Sequence, residues 1–201
     1  MKSDVIIVTS GESQIESALS QAEKVAVYKE LTGKNALHLR LLTEEMMGMM
    51  RSITGETEGR FWIETEGNVY QLHLQVKTRM DSVKREQLLS ASSTGKNESA
   101  RGLMGRLRDF FDRGTDEDVA AITSPLLLTG MHEDISATTL DLEWSMMRYA
   151  DALSSRVQEN DDDAKAAWDE LEKSVVAKVA DDVKVAIQGN TVEMCIIKKM
   201  G

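Results

Sequence analysis

The sequence predicts an α+β protein, a layered α/β sandwich with helices on one face of a mixed, mainly antiparallel sheet. Three observations lead there. Apolar residues recur at three- and four-residue steps around residues 35–53, the spacing of an amphipathic helix. Over residues 60–66 and 69–78 the pattern switches to strict alternation, with Gly67-Asn68 between the two runs. The same alternation and the same dipeptide, Gly189-Asn190, return near residue 190.

Taken in order, Val5-Ile6-Ile7-Val8 suits a short strand and Thr9-Ser10-Gly11 breaks it. Ser13 and Glu16 have capping-box spacing for the next helix. Its inward face would carry Ile15, Ala18, Ala22, Val25, Tyr28 and Leu31, and Thr32-Gly33 would end it. A second helix from about Asn35, a capping residue, to Ile53 presents Leu39, Leu42, Met46, Met49, Met50 and Ile53. Glu44 and Glu45 lie at the edge of that stripe. They are either an ordinary polar flank or carboxylates held near a ligand.

In the first predicted hairpin, Phe61, Ile63 and Thr65 oppose Trp62 and Glu64, and Tyr70, Leu72, Leu74 and Val76 oppose Gln71, His73, Gln75 and Lys77. One sheet face is therefore polar, wet or ligand-facing. Asp81 can cap a short helix through Leu89, residues 90–98 read as a loop or lid, and Leu103, Leu107, Phe110 and Phe111 mark another helix. Gly102 and Gly105 on it permit close approach by a phosphate or by another helix. Gly95-Lys96 lacks the earlier glycine and the feeding strand of a Walker loop and is not read as one.

Residues 113–139 read as a connecting excursion docked by Leu126-Leu127-Leu128, and residues 140–157 as a helix. Asn160-Asp161-Asp162-Asp163 is an acidic break suited to the start of a further helix over residues 164–180, with Ala164, Trp168, Leu171, Val175 and Val179 inward. Val183, Val185 and Ile187 then pair with Val192, Met194 and Ile196 in the second hairpin.

A chain of 201 residues holds one large or two small domains with a proper core. Its net charge of -10 argues against a nucleic-acid or anionic-membrane surface. The single Cys195 excludes an internal disulfide, and His38, His73 and His132 show no metal-ligand spacing, so no metal site is expected. With no cationic start followed by an apolar run, the expected location is cytoplasmic.

The element order, with Leu42-Thr43-Glu44-Glu45-Met46-Met47-Gly48-Met49 on a helix before a hairpin and Gly95, Gly102 and Gly105 after it, resembles the GHKL ATP-binding domains. That group includes gyrase-type ATPases, histidine-kinase catalytic domains and anti-sigma-factor serine kinases, and the last are the most similar. The resemblance covers most of residues 1–112 and the second hairpin. It implies a single domain over residues 1–201 with a helical insertion at about 113–180. It places Glu45 at the acid that activates water or a hydroxyl, and Met49 at the asparagine that holds magnesium; a register moved by one pairs Glu44 with Gly48. A thioether is a soft, neutral donor and does not replace the hard oxygen that magnesium requires. The family's adenine-reading Asp-x-Gly has no counterpart near Asp81, which is followed by Ser82-Val83. The glycine-rich lid is kept best, with Gly95, Lys96, Arg101, Gly102 and Gly105 as the phosphate-binding candidates.

The resemblance therefore implies a degenerate, non-catalytic regulatory or adaptor protein that needs no cofactor and binds a protein partner, and the net charge and the lack of a spanning apolar stretch add the expectation of no nucleic acid and no membrane. Trp144, Met146, Met147 and Tyr149 are either its adaptable surface or plain core. The alternative is an ATP-binding regulatory serine kinase of the anti-sigma type, using ATP and magnesium with Glu45 as base. A small-molecule pocket on the polar sheet face near His73 and Lys77 ranks last. Self-association and the partner's identity stay open.

Overall fold

The computed structural model describes residues 1–9, 12–54, 58–77, 142–188 and 191–201. Among them the chain runs β1 (Ile6–Thr9), α1 (Glu12–Tyr28), α2 (Gly33–Thr54), β2 (Glu58–Glu66), β3 (Val69–Lys77), β4 (Leu142–Ser145), α3 (Met146–Gln158), α4 (Asp162–Lys173), α5 (Val175–Val179), β5 (Asp182–Gln188) and β6 (Thr191–Lys199). The strands form one sheet in the order β1-β2-β3-β6-β5-β4. Each of its pairings is antiparallel, so the parallel component of the expected mixed sheet is not found among the described residues. The fold is α+β.

The alternation read in the sequence sets the two sheet faces. Phe61, Leu74, Met194 and Val185 lie in register across four strands, as do Ile63, Leu72, Ile196 and Val183, and all are buried. They share one core with Ala18, Ala22 and Val25 of α1 and with Leu39, Leu42, Met46, Met49 and Met50 of α2. Thr43, buried in the same helix, satisfies its hydroxyl by donating to the Leu39 carbonyl at 2.8 Å. The opposite face, with Trp62, Gln71, His73 and Gln75, stays outside that core. Gly67 turns the first hairpin with φ +57°, while Asn68 keeps a negative φ and ties the C-terminal segment, donating from its side chain to the Met200 carbonyl at 2.9 Å.

Several local expectations are corrected. Ser13 is not an N-cap, because α1 already begins at Glu12 and a cap needs extended backbone. The helix also ends before Thr32-Gly33. Glu30 adopts φ 54°, and the amides of Glu30 and Leu31 return to the carbonyls of Val27 and Ala26 at 3.1 and 2.8 Å, a Schellman closure on a non-glycine residue. Tyr28, expected inward, is 72 % exposed, whereas the closure brings Leu31 back against the core. Asn35 does not cap α2, which starts at Gly33; its side-chain amide donates to the Gly201 carbonyl at 2.8 Å.

The helix expected over residues 140–157 is a strand followed by a helix. Residues 142–145 pair with β5, and helical geometry begins at Met146. The boundary is set by Ser145, whose extended backbone and hydroxyl cap α3, and by Asp182 on the neighbouring strand. The buried Asp182 carboxylate accepts from the Ser145 hydroxyl at 3.1 Å and from the Met147 amide at 3.0 Å. Asp161 caps α4 as the acidic run suggests, accepting from the amides of Asp163 and Ala164 at 3.0 and 3.1 Å. The single helix expected over residues 164–180 is broken at Ser174, which takes φ -68° and ψ 128° and caps α5. The break moves the buried position from Val175 to Val176.

The elements expected over residues 81–139, including the lid, the glycine-bearing helix and the leucine-docked excursion, lie outside the described residues.

Candidate functional site

The α2 stripe decides where the expected catalytic helix points. With 3.6 residues per turn, Leu42, Met46, Met49 and Met50 turn to the sheet, Glu45 sits half-buried at the flank and Glu44 is exposed. Met49, at the position matched to the magnesium-holding asparagine, is only 1 % exposed and belongs to the core. Gly95, Lys96, Arg101, Gly102 and Gly105 lie outside the described residues. Among the described residues no group of three or more His, Cys, Asp or Glu side chains is placed to hold a metal ion. No helix among them is long and apolar enough to cross a membrane.

On the polar sheet face, pairing across β2, β3 and β6 brings Trp62, His73 and Cys195 into one row. Trp62 and His73 stack at 4.9 Å with rings nearly parallel, and the Lys2 ammonium lies 4.9 Å from the Trp62 ring centroid. Glu64 accepts from the Trp62 indole at 2.8 Å and pairs with Lys2 at 2.9 Å. Those hydrogen bonds, from Lys2 first, hold its carboxyl below the usual range. His73 Nδ1 lies 3.1 Å from Glu193, and its Nε2 lies 3.9 Å from Cys195 Sγ.

That Cys-His pair has the composition of a nucleophilic dyad but not its electrostatics. Burial, reinforced by Glu193, pushes the Cys195 thiol up to about 12, so it stays protonated at neutral pH. Both His73 nitrogens already face protein groups. The row binds neighbouring strands together, and Lys77, expected beside His73, lies exposed at the end of β3.

The third region is a groove of about 560 Å³ bounded by α3, α4 and α5. Of the four side chains read as either an adaptable surface or plain core, three go to the core and only Met147 is exposed. Trp144 and Tyr149 pack against the core with ring centroids 6.0 Å apart. Met146 is buried in the groove's floor, and Met147 stands 55 % exposed at its lip. Trp168, Leu171 and Lys178 complete the lining. The sequence marks Trp168 and Leu171 only as the inward stripe of one long helix. The Ser174 break, invisible in that stripe, is what separates α4 from α5 along the groove.

Comparisons with protein-family models, with curated proteins and with solved structures return no match. The fold defines an α+β protein.

Proposed function

We propose that this chain is a non-catalytic regulatory or adaptor protein on a degenerate GHKL-type fold, acting through a protein partner. The observation that carries the reading is Met49. In the resemblance it stands where magnesium would be held on ATP, and in the structure it is sealed among Met46, Met50 and the sheet. A buried thioether contributes packing and supplies no hard ligand. The protonated state of Cys195 supports the same reading, since the Cys-His pair offers no activated nucleophile.

Calorimetric titration of the purified chain with ATP and with a non-hydrolysable analogue, each with and without magnesium, tests it. The expected result is no saturable binding. Saturable, magnesium-enhanced binding overturns the proposal in favour of the regulatory serine kinase, in which Glu45→Ala would then abolish turnover and leave the fold intact.

A further inference from the structure

We infer that the groove between α3, α4 and α5 docks an amphipathic helix of a protein partner whose flanks are basic, an inference that rests on the adaptor reading above. The groove's floor and lip are apolar: Met146, Leu171, Ala177 and Ala180 below, with Met147 and Trp168 at the edge. Methionine and tryptophan beside small alanines make a surface that accepts the ridged face of a helix with apolar residues at three- and four-residue spacing.

The rim fixes the sign of the partner. Among the described residues it carries Asp151, Glu172 and Asp181 against a single cation, Lys178. Of the cations on these helices, Arg156 is held by Asp161, Lys165 by Asp162 and Lys173 by Glu170, and Arg148, exposed on α3, is not among the side chains that line the groove. Asp181 is itself committed, accepting from the Lys199 amide and pairing with Lys198 at 3.2 Å. Asp151 thus remains to meet Lys or Arg on the partner's flanks, beside Glu172, whose charge the neutral Trp168 indole donor leaves in place. A small ligand fits less well. The one indole donor among the groove's described residues, Trp168 Nε1, already donates to Glu172 at 2.9 Å and is not left to orient a compact molecule.

The test is fluorescence anisotropy of the full chain with dye-labelled synthetic helices that share one leucine stripe, their flanks all lysine in one peptide and all glutamate in the other. The lysine peptide should bind saturably, and the glutamate peptide at least about tenfold more weakly. Attraction to an acidic protein alone would give the same order, so the deciding variant is Met147→Asp. It makes the chain more acidic yet spoils the lip, and it should weaken the lysine peptide by about tenfold or more. Because Met147 is exposed, this change leaves the core intact, which a thermal melt checks. Asp151→Lys should narrow the gap between the two peptides. Absence of saturable binding, equal binding of both peptides, or a Met147→Asp variant that binds as well as or better than the parent would overturn the inference. These outcomes are independent of the nucleotide titration. Lost peptide binding with no ATP binding removes the groove and keeps the non-catalytic reading, whereas ATP binding with peptide binding intact does the reverse.

Discussion

α1 and α2 reach the sheet by burial along their sides. Ala18, Ala22, Leu39, Leu42, Met46, Met49 and Met50 are all sealed, and the ion pair that joins the two helices, Arg40 to Glu23, is exposed. α3, α4 and α5 cover the other end of the same face differently. They too bury side chains, Leu153, Ala164, Ala167 and Leu171 among them, but their ends are in addition fixed by Ser145 with Asp182, by Asp161 and by Ser174, and along their sides Met147 stays exposed and Trp168 half-exposed. Burial along a helix consumes its apolar surface, whereas a cap fixes a helix through its terminal amides and leaves the lateral surface free. A groove remains where the second method is used.

Substitutions can break this contrast. The largest effect is expected for Leu42→Ala, which removes a fully buried side chain from α2 and should cost about 3 kcal/mol in urea denaturation. In the capped layer, Asp182→Ala should cost about 2 kcal/mol, because the Ser145 hydroxyl and the amides of Met147 and Val183 all lose an acceptor in a buried place. If Asp182→Ala proved costlier than Leu42→Ala, the two layers would not differ in the way described. A smaller loss, about 1 kcal/mol, is expected for Gly59→Ala where the sheet meets α2. The added methyl would stand 3.0 Å from Leu74 Cδ1, 3.1 Å from Met50 Sδ and 3.2 Å from the Gln75 carbonyl. The two side chains can yield, but the carbonyl belongs to the β2–β3 ladder and cannot. A Gly59→Ala variant as stable as the parent would mean that the seal between α2 and the sheet has slack.

The same contrast explains what the sequence made legible. Side-chain burial has a period, so the stripe from Leu39 to Met50 and the alternation of both hairpins could be read directly, and both hairpins pair as expected. End-fixing depends on partners distant in sequence. Nothing within residues 140–157 announces that Asp182 will accept from the Met147 amide, so the pattern there suits one helix where the chain forms a strand and a helix. Ser174 is hidden for a related reason, since a serine inside an apolar stripe looks like a tolerated polar residue until its backbone turns extended. Glu45 and Met49 show a similar limit at the candidate site. Their four-residue spacing was readable, and that Met49 would be spent on the core was implied by the stripe that contains it.

Asp161 offers the smallest effect and the finest test of end-fixing. Its carboxyl is held below the usual aspartate value, first by the Ala164 amide and then by Arg156. A depressed folded-state value means that folding favours the charged form. The contribution is therefore complete above the usual aspartate value and is lost as pH falls through the lower folded-state value. Asp161→Asn keeps an oxygen that can accept from the Asp163 and Ala164 amides but removes the charge. Its stability should accordingly decline less steeply than the parent's in the acid range below the usual aspartate value, while near neutral pH the variant is slightly the less stable. Urea midpoints measured across that range decide the matter. Parallel curves for the two proteins would show that α4 is anchored by hydrogen-bond geometry alone, and the distinction between the two layers would then rest on where their partners lie and not on charge.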